Sequence, residues 1–290
     1  MKQKLIFIGN GFDLNLGLKT SYKDFLNSSF FEELLNTPNA NPGPHLTKEL
    51  KKNNEEKNWV DIEIELSKFS KNKANEHFLS EYRDLCRKLT EYIESIQKCT
   101  HTEPSPALEF ITSQYNVNNK TTIINFNYTN TVQNIFQEMR KKSPTLNTQK
   151  IPMEHYHIHG SVKNNDIIFG VDDKHEIGER HIEIRKSTFN DKGGRIIKKS
   201  LRSADDIYFF GLSLGETDHM YFRDFFEGIS KKESDKRIHF YHYGRSGRLD
   251  LHNQFEALTN RNVTALKSNN EFFFKDVSPK TEHPHSTHSN

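Results

Sequence analysis

The stretch KLIFIGNGFDLNLGLKTSYKDF, residues 4–25, combines a short apolar run with a glycine turn and two acidic residues, as the first strand and turn of an α/β core do. Its apolar run, residues 4–8, is short and stopped by a glycine, which is typical of a buried strand. A Gly-Asn-Gly turn at residues 9–11 and Asp13 follow directly. Such a turn at the end of a parallel strand is a place where backbone N–H groups hold phosphates, but it is equally an ordinary way to leave a strand. The turn alone leaves both interpretations open.

The turn does not match the dinucleotide fingerprint of a dehydrogenase. That fingerprint requires a third glycine at position 14, where Leu14 stands. A dehydrogenase also places a ribose-binding acid on a second strand about 20 residues further on. Here the next expected strand starts near Thr121, so the sequence argues against hydride transfer.

The rest of the chain alternates between strand and helix patterns. A helix is predicted over residues 22–36, capped by Ser21 or Thr20, and a long amphipathic helix over residues 75–98. Further strands are predicted at residues 121–126, 154–160, 166–170, 205–211, 236–244 and 262–266. This alternation predicts an α/β fold with a Rossmann-like, mainly parallel sheet, helices on both faces and a helical insertion after the first strand.

We expect one domain over residues 1–275, containing the mostly helical insertion at 21–115. A polar tail, residues 276–290, is expected to be disordered.

The 41 basic and 39 acidic residues nearly balance, which disfavours a nucleic-acid partner. No apolar run reaches the roughly 20 residues of a spanning helix, and the N-terminal run is too short for a signal peptide. The sequence therefore predicts a cytoplasmic protein without a membrane partner.

Chemically useful residues follow several of the predicted strands. They are Asn127, Tyr128 and Thr129 after one strand, His159 and Gly160 after the next, and Gly211, Ser213 and Asp218 after a later one. Because the carboxyl ends of parallel strands meet at one edge of the sheet, these residues are expected to converge. The repetition favours a binding site at that edge over a plain core.

The segments IGNGFDLNLGLKTSYKDF, NWVDIEIEL, INFNYTN, YHIHGS, IIFGVDD and YFFGLSLGETD occur in this order along the chain. Together they resemble the AbiH family, bacterial proteins associated with abortive infection after phage attack. The resemblance spans about residues 4–218. It implies a role in antiphage defence, with a phage-derived activator or a homo-oligomer as candidate partners.

The same series is similar to a distant version of the sirtuin pattern, which implies NAD as substrate or ligand. The residues that match it are Gly9, Gly11, Asp24, Phe25, Asn127, His159, Gly160, Gly211 and Ser213. Asn10 replaces the small residue of the first turn, and Leu26 replaces an arginine. Two cysteines cannot form a four-cysteine zinc module. Simple NAD cleavage is therefore expected rather than protein deacetylation.

The resemblance suggests a role for each of these residues. Asn127 would orient water or a ribose hydroxyl, and His159 would act as general base. Asp24 would hold the ribose or the nicotinamide, with Phe25, Tyr128 and Asp13 nearby. The pyrophosphate would be held by Gly9, Asn10, Gly11 and Ser213. Asp218 is expected first as a helix cap and second as a ribose ligand.

Several residues have competing interpretations. A histidine at a strand end is often a structural hydrogen-bonding residue, and this remains an alternative for His159. His155, His157 and His159 alternate along one strand, but two of them would lie deeper in the sheet, so no metal site is predicted. Glu63 could contribute to the site from the insertion or face solvent. For the whole protein, a nucleotide-sensing module without turnover and, more distantly, a toxin acting on nucleic acid remain alternatives to an NAD+ hydrolase.

Overall fold

The computed structural model describes residues 2–36, 45–57, 62–71, 77–97, 103–114, 120–142, 153–171, 175–189 and 192–279. Its strands are β1 (Gln3–Ile8), β2 (Lys120–Asn125), β3 (Met153–His157), β4 (Asp206–Phe210), β5 (Arg237–His242) and β6 (Glu271–Asp276). Within the described residues they form one parallel sheet in the order β3-β2-β1-β4-β5-β6. The strand order reverses between β1 and β4, as in doubly wound sheets. The predicted Rossmann-like α/β fold is confirmed.

Helices surround this sheet and fill the insertion after β1. They are α1 (Asn10–Asn15), α2 (Tyr22–Leu26), α3 (Ser29–Asn36), α4 (Leu46–Lys57), α5 (Ile62–Ser70), α6 (Phe78–Ile96), α7 (Pro106–Ser113), α8 (Thr131–Lys142), α9 (Lys186–Phe189), α10 (Gly193–Ser203), α11 (His219–Ser230), α12 (Gly244–Leu258) and α13 (Val263–Ser268). Short 3₁₀ turns cover Val162–Asn164, Ile182–Ile184 and Glu216–Asp218.

Alternation along the buried strands sends side chains to both faces of the sheet. In β1, Leu5 and Phe7 belong to the core beneath α10, α11 and α12. Ile6 and Ile8 belong to a second core, beneath α7 and α8 on the opposite face. Burial on both faces explains why β1 is a continuous apolar run rather than an alternating one.

The insertion has a third core of its own. The apolar stripe of α6, with Tyr82, Leu85 and Leu89 buried, packs against α3 and α4. Phe169 and Val171, from the segment after β3, pack into the same core. These contacts join the insertion to the sheet domain beyond the end of β3.

The structure corrects four details of the sequence prediction. Residues 166–170 form no strand, because their apolar side chains pack into the insertion core instead of extending the sheet. Residues 263–266 belong to helix α13, with Asn262 at its N-cap position. The buried Val263 and Leu266 lie three apart, and the last strand is β6. The helix predicted over 22–36 is divided into α2 and α3. The tail predicted from residue 276 overlaps the end of β6, and residues 280–290 lie outside the described part of the chain.

No helix in the described ranges combines the length and apolarity that crossing a membrane requires.

Candidate functional site

Two glycine turns meet where the strand order reverses. Residues Gly9 and Gly11 follow β1, and Gly211 follows its neighbour β4. A Cβ atom at Gly9 would lie 2.6 Å from the Gly211 carbonyl oxygen, and one at Gly211 would lie 2.2 Å from the Phe12 nitrogen. Gly211 also has a φ of +64°. Only glycine fits this backbone contact without strain.

The close approach engages the N–H groups of the first turn in hydrogen bonds to the second. The Gly9 N–H donates to the Phe210 carbonyl at 3.0 Å, and the Gly11 N–H donates to the Gly211 carbonyl at 2.9 Å. Helix α1, which begins at this turn, is only six residues long. The two glycines therefore serve first to join β1 to β4, and their N–H groups are engaged within the fold.

A cavity of about 410 Å³ lies beside these turns. Ten residues predicted for the site line it: Gly9, Asn10, Gly11, Asp13, Asn127, Tyr128, His159, Gly211, Ser213 and Asp218. Glu63, for which two interpretations stayed open, and Thr129, one of the strand-end residues expected to converge here, also line it. The remaining lining residues had no predicted site role; they are Thr20, Tyr22, Ile93, Phe126, Lys186 and Leu212. Tyr22, Glu63 and Ile93 belong to the insertion, which thus forms one wall of the cavity.

Asp24, Phe25 and Gly160 do not line the cavity. Asp24 belongs to a capping box at the start of α2, where its carboxylate accepts from the Ser21 hydroxyl at 2.5 Å and from the Ser21 N–H at 3.2 Å. Phe25 is fully buried in the insertion core. Gly160 turns the chain with a φ of +72°, and a Cβ there would overlap the Asp166 carbonyl oxygen.

Asn127 connects the end of β2 to the turn after β1. Its side-chain amide donates to the Gly9 carbonyl at 3.0 Å, and its own N–H donates to the Asn125 side-chain oxygen. The side chain is buried, so these hydrogen bonds are made away from bulk water. Asn127 therefore holds a fixed position in the cavity wall.

His159 is a buried imidazole whose Nε2 atom makes no hydrogen bond within the described residues. Oδ1 of Asp218 lies 3.8 Å from Nε2, beyond hydrogen-bonding distance. Burial lowers the pKa of His159 well below its usual range, the nearby Lys186 ammonium lowers it further, and a backbone hydrogen bond to Phe126 opposes both. His159 is therefore neutral at pH 7.

Asp218 occupies the N-cap position of α11 without capping it. Its side chain makes no cap hydrogen bond to the helix and instead lines the cavity. Four residues earlier, the buried Leu214 has a φ of +53°, a conformation that non-glycine residues adopt at a cost. The capping hydrogen bond expected first for Asp218 is therefore not made, and its role as a ribose ligand stays a prediction.

A buried ion pair joins the insertion wall of the cavity to the segment before α10. The Lys186 Nζ lies 2.7 Å from Oε2 of Glu63, and the two side chains are only 2% and 8% exposed. The Tyr22 hydroxyl donates to the other Glu63 oxygen at 3.2 Å. Burial by itself would lower the pKa of Lys186, but the Glu63 and Asp218 carboxylates outweigh it and raise this pKa. Lys186 is therefore positively charged at pH 7.

Asp13 adds a second buried carboxylate to the cavity. Thr129 donates to its Oδ2 at 2.6 Å, whereas Oδ1 makes no hydrogen bond within the described residues. Burial raises the pKa of Asp13 to about 6, although hydrogen bonding with Thr129, Thr131 and Asn127 lowers it in part. Burial therefore makes the ionised form of this carboxylate less stable than it would be in water.

A neighbouring cavity of about 420 Å³ lies over the carboxyl ends of β4, β5 and β6. It shares Gly11, Gly211, Leu212 and Ser213 with the first cavity, and its other walls are largely apolar and aromatic. The pair of cavities therefore flanks the point where the strand order reverses, which is where doubly wound sheets bind extended ligands. Each volume falls in the range of small-molecule sites.

The histidines that alternate along β3 do not share one site. The rings of His155 and His157 stack 4.9 Å apart, whereas His159 packs edge-to-face on Phe126 in the first cavity. Among the described residues, no group of three or more histidine, cysteine, aspartate or glutamate side chains is placed to hold a metal ion.

Fold and site together define an α/β protein with a Rossmann-like sheet and a polar cleft at its switch point, which is the point between β1 and β4 where the strand order reverses. The family model described as Bacteriophage abortive infection AbiH matches residues 5–241, and the chain belongs to this family. Family membership confirms the predicted resemblance and a role in phage abortive infection. No curated protein matches the chain significantly.

Proposed function

We propose that the cleft binds NAD+ and hydrolyses its nicotinamide–ribose bond, and that this reaction is the protein's contribution to abortive infection. The observation that carries the proposal is the convergence of Asn127, His159 and Asp218 beside two glycine turns at the switch point. The adjoining cavity supports it, because a dinucleotide needs room for two halves joined across a narrow bridge. The distant similarity to sirtuin motifs points to the same ligand.

The reaction would proceed by attack of water on the anomeric carbon of the nicotinamide riboside half. The bond from that carbon to the pyridine nitrogen breaks and its electron pair stays on nitrogen, so nicotinamide leaves neutral. Asn127 would orient the water, and Nε2 of neutral His159 would accept its proton. The Asp218 carboxylate would stabilise the positive charge that develops on the sugar. The products are nicotinamide, ADP-ribose and one proton.

A second candidate is nucleotide sensing without turnover. The pKa of His159 lies well below 7, and an efficient general base has a pKa near the working pH. The N–H groups of Gly9 and Gly11 are already used within the fold. In this alternative the cleft binds NAD+ or ADP-ribose and passes the signal to a partner.

Incubating the purified protein with NAD+ and resolving the products by chromatography tests the proposal. We expect nicotinamide release by the parent and its loss in His159→Asn and Asn127→Ala. His252→Asn and Asn134→Ala, at exposed helical positions, are the matched controls and should retain activity. Release at the parental rate by both cavity variants would refute hydrolysis at this site. No release by the parent, together with calorimetric binding of NAD+, would favour the sensing function.

A further inference from the structure

A separate polar cavity of about 340 Å³ lies along the outer side of β3. Its walls come from β3, the loop that follows it, the first turn of α8 and the N-terminus of α10. It shares no lining residue with the candidate NAD site. Neither the family assignment nor the proposed hydrolysis accounts for it.

Four buried polar atoms in this wall make no hydrogen bond within the described residues. They are Nδ2 of Asn130, Oε1 of Gln133, Nε2 of His155 and Oγ of Ser161. Asn130 is 5% exposed and Ser161 is 1% exposed, so neither side chain finds its partner in bulk water. Buried polar groups in native proteins are nearly always paired, with protein, water or a ligand. Four such atoms around one cavity therefore point to a polar occupant.

The charges around the cavity favour an anion. Lys163 and Lys192 contribute ammonium groups, and the N-terminus of the 11-residue helix α10 faces the cavity through Gly193. The opposing carboxylate is that of Asp166, whose Oδ1 already accepts from the Ser161 N–H at 2.7 Å. The Asn130 amide and the Ser161 hydroxyl can donate to phosphate oxygens, while Oε1 of Gln133 can accept from a hydroxyl group.

The cavity is connected to the candidate NAD site by two hydrogen bonds through one residue. Nε2 of His157 lies 2.7 Å from the side-chain nitrogen of Gln133, and Nδ1 lies 3.0 Å from the backbone oxygen of Asn127. A ligand that draws Gln133 toward itself would change the first contact and reposition the imidazole. That movement would reach Asn127, whose side chain lies in the wall of the other cavity.

We propose that this cavity is a second site, which binds a small phosphorylated molecule and adjusts the NAD site through Gln133, His157 and Asn127. The binding part stands on this cavity alone, and the regulatory part rests on the proposed function. A volume of about 340 Å³ accommodates more than a phosphate ion, so a phosphorylated sugar or nucleoside fits better than free phosphate. A ligand shifts the NAD site only if it binds the two arrangements of Gln133 with different affinity.

Calorimetric titration of the full chain with ribose 5-phosphate and, separately, with inorganic phosphate tests the binding part. We expect both to bind, ribose 5-phosphate more tightly. Ser161→Ala and Lys192→Gln should each weaken binding by about tenfold, because each removes a donor to the phosphate. Lys199→Gln, an exposed lysine on the same helix, is the matched control and should bind as the parent does. Absence of heat with both probes, or equal binding by all variants, would overturn the second site and leave water as the occupant.

The regulatory part is tested by measuring NAD+ affinity and nicotinamide release with and without ribose 5-phosphate. We expect a change of at least threefold in the parent and none in Gln133→Met, in which the contact to His157 is lost. If Ser161→Ala and Lys192→Gln weaken ribose 5-phosphate binding as expected, but the phosphate leaves NAD+ affinity and nicotinamide release unchanged in the parent, the coupling is refuted and the second site stands. Because calorimetry does not require turnover, failure of NAD+ hydrolysis would not be mistaken for failure of this site.

Discussion

Breaking the Glu63–Lys186 ion pair should destabilise the fold strongly, and removing both charges should restore most of the loss. The two charged atoms are 2.7 Å apart. At that distance and an effective dielectric constant of about 20, the Coulomb attraction is about 6 kcal/mol. Desolvation offsets part of it, and removal of one partner from a buried pair typically costs about 3–5 kcal/mol, because the other charge is left uncompensated. We expect that loss for Glu63→Gln, reduced by the remaining attraction between Lys186 and Asp218.

Urea unfolding followed by circular dichroism at pH 7.5 gives the free energies for Glu63→Gln, Lys186→Met and the double variant. The double variant, Glu63→Gln with Lys186→Met, should lie within about 2 kcal/mol of the parent, because both charges of the pair are removed together and neither is left buried opposite a missing partner. The exposed pair Lys198–Asp224 is the control, and Lys198→Met should cost less than about 1 kcal/mol. Losses below about 1 kcal/mol in both single variants, or a double-variant loss equal to their sum, would refute the account of this pair.

Three further predictions concern the same cleft. Because burial raises the pKa of Asp13 from 3.8 to about 6, the folded state holds this proton more tightly than the unfolded state. Stability therefore falls by about 2 kcal/mol between pH 4 and pH 6, and by about 3 kcal/mol over the whole range from below pH 3 to above pH 7. Asp13→Asn should remove that part of the pH dependence in urea titrations, and an unchanged profile would show that Asp13 is not the group responsible. Gly211→Ala should lower the free energy of unfolding in urea by about 3 kcal/mol or more. Gly228→Ala, whose added Cβ would have no atom within 4 Å, should raise it by about 0.5–1 kcal/mol. Equal effects of the two variants would contradict the close backbone contact. NAD+ should bind more tightly than NADH in calorimetry, because the cavity is negatively charged, and the reverse order would refute the expected position of the nicotinamide ring.

The sheet and most of the site could be predicted because both depend on local patterns. Buried parallel strands are apolar runs, and polar residues directly after them must converge at one sheet edge. The strands predicted at residues 166–170 and 262–266 were wrong, because a short apolar run has the same pattern whether it pairs in a sheet, packs in a loop or forms a helix. Asp24 was assigned to the cleft, although Ser21, three residues before it, carried the signal of a capping box.

Lys186 could not have been predicted as part of the site. It lies in HIEIRKSTFN, where a lysine ordinarily faces solvent, and 123 positions separate it from Glu63. Only the packing of the insertion over the ends of the strands brings the two together. The sequence left Glu63 open for the same reason, since its partner lies in a different part of the chain.

The charges that line the first cavity explain how it can favour the positively charged nicotinamide ring while His159 stays neutral. Among the described residues that line this cavity, the one lysine, Lys186, stands against three acidic residues, Glu63, Asp218 and Asp13, so their formal charge is negative when Asp13 is ionised. Burial, and after it the Lys186 ammonium, lower the pKa of His159, so the imidazole stays neutral and can accept a proton rather than repel a cation. The same negative charge disfavours a pyrophosphate inside this cavity. In the proposed complex the pyrophosphate would therefore cross the shared wall of Gly11, Gly211 and Ser213, with the nicotinamide riboside on one side and the adenosine on the other. The glycines of the turn would then act by leaving that wall free of side chains, not by donating N–H groups that the fold already uses.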